Sequence, residues 1–425
     1  MKAGIMKVAR KMNKRGSTAV FLTMIFACMA AVALVFSYAA AQAAYVSRCD
    51  AICALSGRSI LSEFDLTLKE EYGIFGFYGY DMEIEAKLQY YINMSLGSKD
   101  VSHITVDLSQ YGLTNIDTFE QQIINAAKYG FIKAAIQKVT SSDGNEVVME
   151  MQEEDKILQN QIVINSLPST AIETSRFSVD SITSKVEGIT NITAFLKEGS
   201  DLYLTTDYIL RNCRHEFQTD VGRETFFTRE VEYILNGKYS DKENKRAFKN
   251  DFVALRTPLN LAHIYADPKK RAETLSAAEL LTPGPAAVVT QGIIALGWAV
   301  IEARNDAALL LAGENVALTK TQATWAINFS NILVTENADS FDTSLKGSGS
   351  SYIKPTSSAG LSYEDYLKLF LSFQNRTTKL VRLMDLIQLN MKGIYYDGFL
   401  LREYNAGVEY DVWIKGKKYV FEEKY

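Results

Sequence analysis

Histidine and cysteine are scarce: 3 His and 4 Cys in 425 residues leave little material for a zinc site, a Cys/His nucleophile pair or a Ser/His/Asp triad. Proline (6) and glycine (25) are also few, which excludes collagenous and low-complexity chains. There is no basic excess, since the formal net charge is −5, and nucleic-acid binders need a basic footprint. Charge of either sign is missing altogether from Gly16 to Ser47. What is present, 47% hydrophobic and 22% charged residues, suffices for the packed core of one large or two ordinary domains.

The first fifteen residues carry Lys2, Lys7, Arg10, Lys11, Lys14 and Arg15 and no acid. Behind them the uncharged run centres on Ala19 to Phe36, with Ala19, Val20, Phe21, Leu22, Ile25, Phe26, Val32, Leu34, Val35 and Phe36 as its apolar membrane-anchor residues. As a helix the run reaches about 48 Å, against a hydrocarbon core of about 30 Å. A basic stretch before a span stays cytoplasmic. The six cations therefore set the topology: residues 1–15 cytoplasmic, 16–47 transmembrane, 48–425 exported, a single-pass protein of the cell membrane. The exported part holds 39 basic and 50 acidic residues, a net charge of −11. Ala41-Gln42-Ala43 also fits a signal-peptidase site, so a cleaved signal is the alternative. The length of the apolar run, and the absence of Pro or Gly from Ser37 until Gly57, favour retention. Beyond the span, Ile52, Leu55, Ile60, Leu61 and Phe64 fit one apolar helical face, with Gly57 counting against an unbroken rod. Cys28 lies in the span. Cys49 and Cys53 share a helical face, where pairing with each other would strain the helix. With Cys213 they leave an odd exported thiol, so an intermolecular disulfide is open, and packed or free thiols are the simpler state.

The exported part reads as α+β, a stalk and mixed region over 48–220 followed by a mainly helical region over 221–425. Glu71 to Tyr80 interleaves aromatics with glycine, as a buried turn does. Val101 to Leu108 reads as a strand, Asp117 to Lys138 as a helix capped by Asp117, and 141–145 as a turn. Glu224 to Asn236 is a helix stopped by Gly237, and Ser240 opens another that Pro258 should kink or end. Ala286 to Ala312 is expected as a central buried helix, with Val289, Ile293, Leu296, Val300, Ala303, Ala307 and Leu310 facing one way. Residues 346–360 read as a flexible loop. Ser362 caps a long helix running through Met391. The C-terminus alternates as a hairpin around Lys415-Gly416-Lys417.

Chemistry is thinly signalled. The pairs Glu70/Glu71, Glu153/Glu154 and Glu422/Glu423 fit solvated faces. His215-Glu216 lacks the second His of a zinc-protease helix. The sequence supports no catalytic, cofactor-binding or metal-ligating residue. Its 23 Tyr could serve a binding surface, and most fit a core.

Several short motifs occur in a telling order. Arg15-Gly16-Ser17-Thr18-Ala19-Val20-Phe21-Leu22 opens the span, Glu71-Tyr72-Gly73-Ile74-Phe75 follows the stalk, and Glu232 to Lys238 (EYILNGK) comes next. Trp298, Ser362 to Leu367 (SYEDYL) and Met384 to Asn390 (MDLIQLN) complete the set. Together they resemble an uncharacterised family of single-span exported bacterial proteins found near Tad-type (Flp, type IVc) pilus genes. The N-terminal segment is similar to TadE/TadG-like proteins. TadE-like pseudopilins carry a Glu shortly after the Gly at the start of the span, whereas Gly16 here is followed by Ser17, Thr18, Ala19, Val20 and Phe21. That departure counts against prepilin-type cleavage and against an ordinary pilin subunit. The resemblance implies a structural or assembly role with the bilayer, and with pilus or envelope proteins, as partners. An adhesin or binding module is the alternative and a carboxylate-based hydrolase a third reading. Oligomeric state is open.

Overall fold

The computed structural model describes residues 2–97, 101–140, 155–175, 179, 182, 200–330 and 352–425, with the side chains of 2–17, 130–140 and 200 left aside. The loop residues 141–145 and 346–351 fall outside it. Elements in the first third are α1 (Lys2–Leu61), α2 (Leu66–Tyr72), β1 (Phe77–Tyr78), α3 (Asp81–Leu96), β2 (Val101–Asp107) and α4 (Ile116–Thr140). Then come α5 (Gln161–Ser166), α6 (Ser200–Asn212), α7 (Glu230–Asn236), α8 (Asp241–Ala266), α9 (Pro268–Leu281) and α10 (Ala287–Leu311). The chain closes with α11 (Tyr363–Phe373), α12 (Arg376–Asn390), β3 (Tyr404–Asn405), β4 (Gly407–Ile414) and β5 (Lys417–Lys424). The fold is mixed and helix-rich, and it divides into two units that interleave in sequence. One comprises Met1–Glu63, Gly79–Ser109 and Gly407–Tyr425, the other Phe64–Tyr78 and Gln110–Ala406.

The first unit is an antiparallel sheet in the order β2-β4-β5, with α1 and α3 against it. Lys415 (φ 48°) and Gly416 (φ 79°) form its two-residue hairpin turn, the left-handed pair that matches strand twist. Val408, Tyr410, Val412 and Ile414 alternate inward along β4. The α1 face that meets the sheet is built from small residues: Cys49, Cys53, Ser56 and Gly57 are buried, and Ile60 with them. Leu55, expected on that face, is 64% exposed. The helix runs through Gly57 unbroken because that position is a site of close approach. Tyr410 Oη donates to the Cys53 carbonyl at 2.7 Å, and a Cβ on Gly57 would stand 2.4 Å from Tyr410 Oη and 2.9 Å from its ring. Gly57→Ala should therefore destabilise the chain by about 1–3 kcal/mol, although Ala is the better helix former by about 1 kcal/mol. Thermal denaturation measures this, and adding Tyr410→Phe should recover part of the loss.

The second unit is mainly helical. Ser240 caps α8 through Glu243 N at 3.3 Å, and Gly237 (φ 65°) ends α7. Pro258 neither ends nor breaks α8. It and Ala254, whose carbonyl loses its partner, are both exposed, so water can serve that carbonyl. Helix α7 starts later than the sequence pattern suggests. Phe226 N donates to Asn390 Oδ1 (2.7 Å), and Thr228 N and Arg229 N donate to the Asp241 carboxylate (3.0 and 2.9 Å), so 224–229 take partners outside a helix. The expected long helix from Ser362 is two: α11 has its Ser362/Asp365 capping box, Gln374 is extended, and Asn375 caps α12 through Thr378 N at 3.2 Å. In α4 the cap is Asn115 rather than Asp117, its Oδ1 accepting from Asp117 N at 3.0 Å. Trp298 and Trp325 both donate to the Ile327 carbonyl, at 3.0 and 2.7 Å, and centre the cluster under α10.

Candidate functional site: an exposed apolar helix and three buried polar clusters

Between Thr18 and Ala44 every side chain of α1 is exposed. Ala19, Val20, Phe21, Leu22, Ile25, Phe26, Val32, Leu34, Val35 and Phe36 point outward all round it, Val20 at 68% and Phe36 at 71% exposure. Water penalises such a surface, by about 1.5–3 kcal/mol for each large side chain left uncovered. The hydroxyl of Thr23 is satisfied by the Val20 carbonyl at 2.9 Å, and no charge interrupts the run. Thr18–Leu61 is long and apolar enough to cross a bilayer. That property is consistent with a membrane anchor or a signal sequence. Lys2, Lys7, Arg10, Lys11, Lys14 and Arg15 lie on the same helix, and their side chains are outside the described set. Where the apolar surface ends, the Lys415 ammonium lies 4.1 Å from the Tyr45 ring centre, and Arg48 Nη2 donates to the Ser95 carbonyl at 3.3 Å.

The other long apolar helix, α10, is divided along its length. Ala303, Ala307 and Leu310 are buried as expected, under α8 and α9. Val289, Ile293 and Leu296 are exposed instead, Ile293 at 68%, together with Leu280, Leu281 and Val288. Alongside Trp298, Ile301, Leu309 and Leu310, the helix also turns small and polar residues inward: Ala295, Ala299, Glu302, Asn305 and Asp306.

Those inward carboxylates belong to the first of three buried clusters. Lys320 Nζ lies 2.6 Å from both Glu302 Oε1 and Asp306 Oδ1, and Arg256 Nε reaches Asp306 Oδ2 at 3.1 Å. Burial raises the Glu302 carboxyl, against the pull of Lys320. In the second cluster Glu232 Oε1 accepts from Tyr363 Oη at 2.6 Å and from Glu216 N at 3.1 Å, while its Oε2 has no hydrogen-bond partner among the described residues. Burial pushes Glu232 up to about 7. His215 stacks on Tyr363 with ring centres 6.0 Å apart, and burial depresses its imidazole. In the third, Asp385 accepts from Ser169 N (2.9 Å) and Tyr233 Oη (2.8 Å), and burial raises it to about 6.

No acid cluster was visible in the adjacent pairs of the sequence. Glu422 and Glu423 meet Lys424 and Arg58 respectively, and 153–154 lie outside the described residues. The legible signal for the first cluster was Glu302 and Asp306, one turn apart directly after the uncharged stretch Ala286 to Ile301. Among the described residues no group of three or more His, Cys, Asp or Glu could hold a metal ion. The described cysteines are all free thiols, with Cys49, Cys53 and Cys213 buried.

No curated protein and no solved structure matches the chain. The sequence profile of a family of unknown function, DUF5702, matches residues 128–416, about two thirds of the chain and C-terminal to the apolar helix. The protein therefore belongs to the DUF5702 family.

Proposed function

We propose that the protein is a single-pass, membrane-anchored structural or assembly protein. Residues 16–47 cross the bilayer, 1–15 stay cytoplasmic and 48–425 are exported, where they engage pilus or envelope proteins rather than turn over a substrate. The observation that carries this reading is the fully exposed apolar surface of α1, continuous with the helical face that packs on its own sheet. A free apolar helix of this length calls for a lipid environment. The placement of the cations before the span supports the orientation. The Tad/Flp association rests on the order of motifs in the sequence.

Three measurements test the proposal. The full chain should stay with membranes through alkaline extraction. Protease added to intact, wall-stripped cells should remove a C-terminal tag, whereas survival of the tag until lysis would reverse the orientation. Membrane-permeable crosslinking should capture envelope or pilus components, and a partner-free soluble monomer would end the assembly reading.

A further inference from the structure

Lys320 is buried between two carboxyl groups that are held for different tasks. Asp306 presents Oδ1 to the amine at 2.6 Å, while its Oδ2 receives Arg256 Nε at 3.1 Å and Asn260 Nδ2 at 3.3 Å. Glu302 presents Oε1 to the same amine at 2.6 Å, and backbone donors hold it in place, Ala326 N at 3.0 Å and Ile327 N at 2.8 Å. Lys320 Nζ has one further partner, the Thr324 carbonyl at 2.8 Å. The Trp325 ring lies 5.9 Å away. Arg256, Asn260, Glu302 and Asp306 are each 0% exposed and Lys320 6%.

We propose that this cluster is a self-modification site in which Lys320 and Asp306 condense to an intramolecular amide, with Glu302 as the proton carrier. In a dry interior the charged forms are costly, so a proton passes from the Lys320 ammonium to Glu302 and on to Asp306 Oδ1. The neutral amine then attacks Cγ of Asp306. Negative charge develops on Oδ2, where Arg256 and Asn260 already donate, the arrangement that stabilises an oxyanion. Glu302 takes a second proton from the nitrogen and returns it to Oδ1, which leaves as water. The C–N bond forms and the Cγ–Oδ1 bond breaks. Two of the three ammonium protons depart with the water, the third stays on the amide nitrogen, and Glu302 ends ionised as it began. The net charge of the cluster is unchanged, because one ammonium and one carboxylate vanish together. No oxidant or co-reactant is needed. Enforced contact replaces activation of the carboxyl group, as in intramolecular reactions of high effective molarity. Glu302 is the poorer electrophile of the two, since guanidinium and amide donors converge on Asp306 and only backbone N–H groups on Glu302.

The bond would tie the C-terminal half of α10 to the segment that follows it, a closed loop from 306 to 320. Peptide mass spectrometry of the full chain, purified in detergent and denatured before digestion, decides the matter. Trypsin should fail to cut after Lys320, giving one fragment from Asn305 to Lys346 that is about 18 Da lighter than its sequence, with fragmentation placing the closure at Asp306 and Lys320. A linear fragment of full mass ending at Lys320, from folded protein, overturns the proposal. Asp306→Asn should still close, losing ammonia, about 17 Da, relative to its own sequence. Glu302→Gln should give the cut, linear peptide; closure in that variant as complete as in the unaltered chain would remove Glu302 from the reaction. Because the unaltered chain answers the main question, a variant that fails to fold does not shield the proposal.

Discussion

Arg256→Met is expected to lower stability by about 3–5 kcal/mol, the range for removing one partner of a buried ionic group. Arg256 is completely buried and uses each nitrogen of its guanidinium: Nε to Asp306, Nη1 to the Leu318 carbonyl at 2.5 Å, and Nη2 to Asn260 Oδ1 at 3.1 Å. Methionine keeps an unbranched apolar stem of similar reach, so the loss reports the orphaned acceptors more than lost packing. Asn260 Oδ1 and the Leu318 carbonyl lose their guanidinium donor at once, and Asp306 Oδ2 is left with Asn260 Nδ2 alone. The loss is expected whether Asp306 remains a carboxylate or becomes an amide, since Arg256 also faces Glu302 electrostatically. The contrasting substitution is Arg376→Met. Arg376 also meets two acids, Glu120 at 2.8 Å and Asp117 at 2.7 Å, but its side chain is 50% exposed. Solvent screening limits such a pair to about 1 kcal/mol or less. Thermal or urea denaturation of both variants in the same detergent gives the comparison. Equal losses would mean that the interior around Arg256 is much wetter than its enclosure indicates.

This contrast also explains what the sequence could tell. Local signals were legible: the β2 strand, the Lys415-Gly416 turn, the Gly237 stop and the Ser240 and Ser362 caps each depend on residues within a few positions of one another. The apolar helix was legible for the same reason, since an uncharged run is a contiguous property. Signals that depend on distant partners were not. Glu302 and Asp306 stand one turn apart and hint at a polar site, but nothing local names Arg256 or Lys320 as their partners. The face of α1 was misjudged at Leu55 because close approach to the sheet favours Cys49, Cys53, Ser56 and Gly57, small residues that carry little hydrophobic signal. In α10 Val289, Ile293 and Leu296 were expected inside with Ala303, Ala307 and Leu310 but are exposed, and part of the interior is taken by Glu302, Asn305 and Asp306, whose partners come from elsewhere. The break at Gln374 was readable in part, for Asn375 followed by Thr378 is a helix start, but the apolar period runs across it without a fault. Pro258 gave a true local signal that exposure of the freed carbonyl neutralised.

Raising the pH from about 5 to about 8 should destabilise the second unit, and Glu232→Gln should remove the share of that dependence that Glu232 carries. Burial raises Glu232 from 4.5 to about 7, and its ionised form gains too little from Tyr363 and the Glu216 amide to offset it. A carboxyl whose folded value lies above its unfolded one binds more protons in the folded state across the interval. Stability then falls as pH rises between the two values. The contribution is complete below about 4.5 and is lost by about 7, on the order of 3 kcal/mol at about 1.4 kcal/mol per unit. Asp385, raised to about 6, works in the same sense over a lower window. His215, depressed by burial, works in the opposite sense, its share being lost as pH falls below the ordinary imidazole range. Glu216, held below the usual carboxylate range because its salt bridges to Arg229 and Lys245 outweigh its burial, acts only below about 4.5. The difference between the two chains isolates Glu232, since glutamine keeps the acceptor for Tyr363 Oη and the Glu216 amide while giving up the proton. Denaturation midpoints at half-unit steps of pH measure it: over the interval the unaltered chain should lose about 2–3 kcal/mol more than the variant. Parallel curves would show that Glu232 is ionised inside the fold, with its unpartnered Oε2 reached by water.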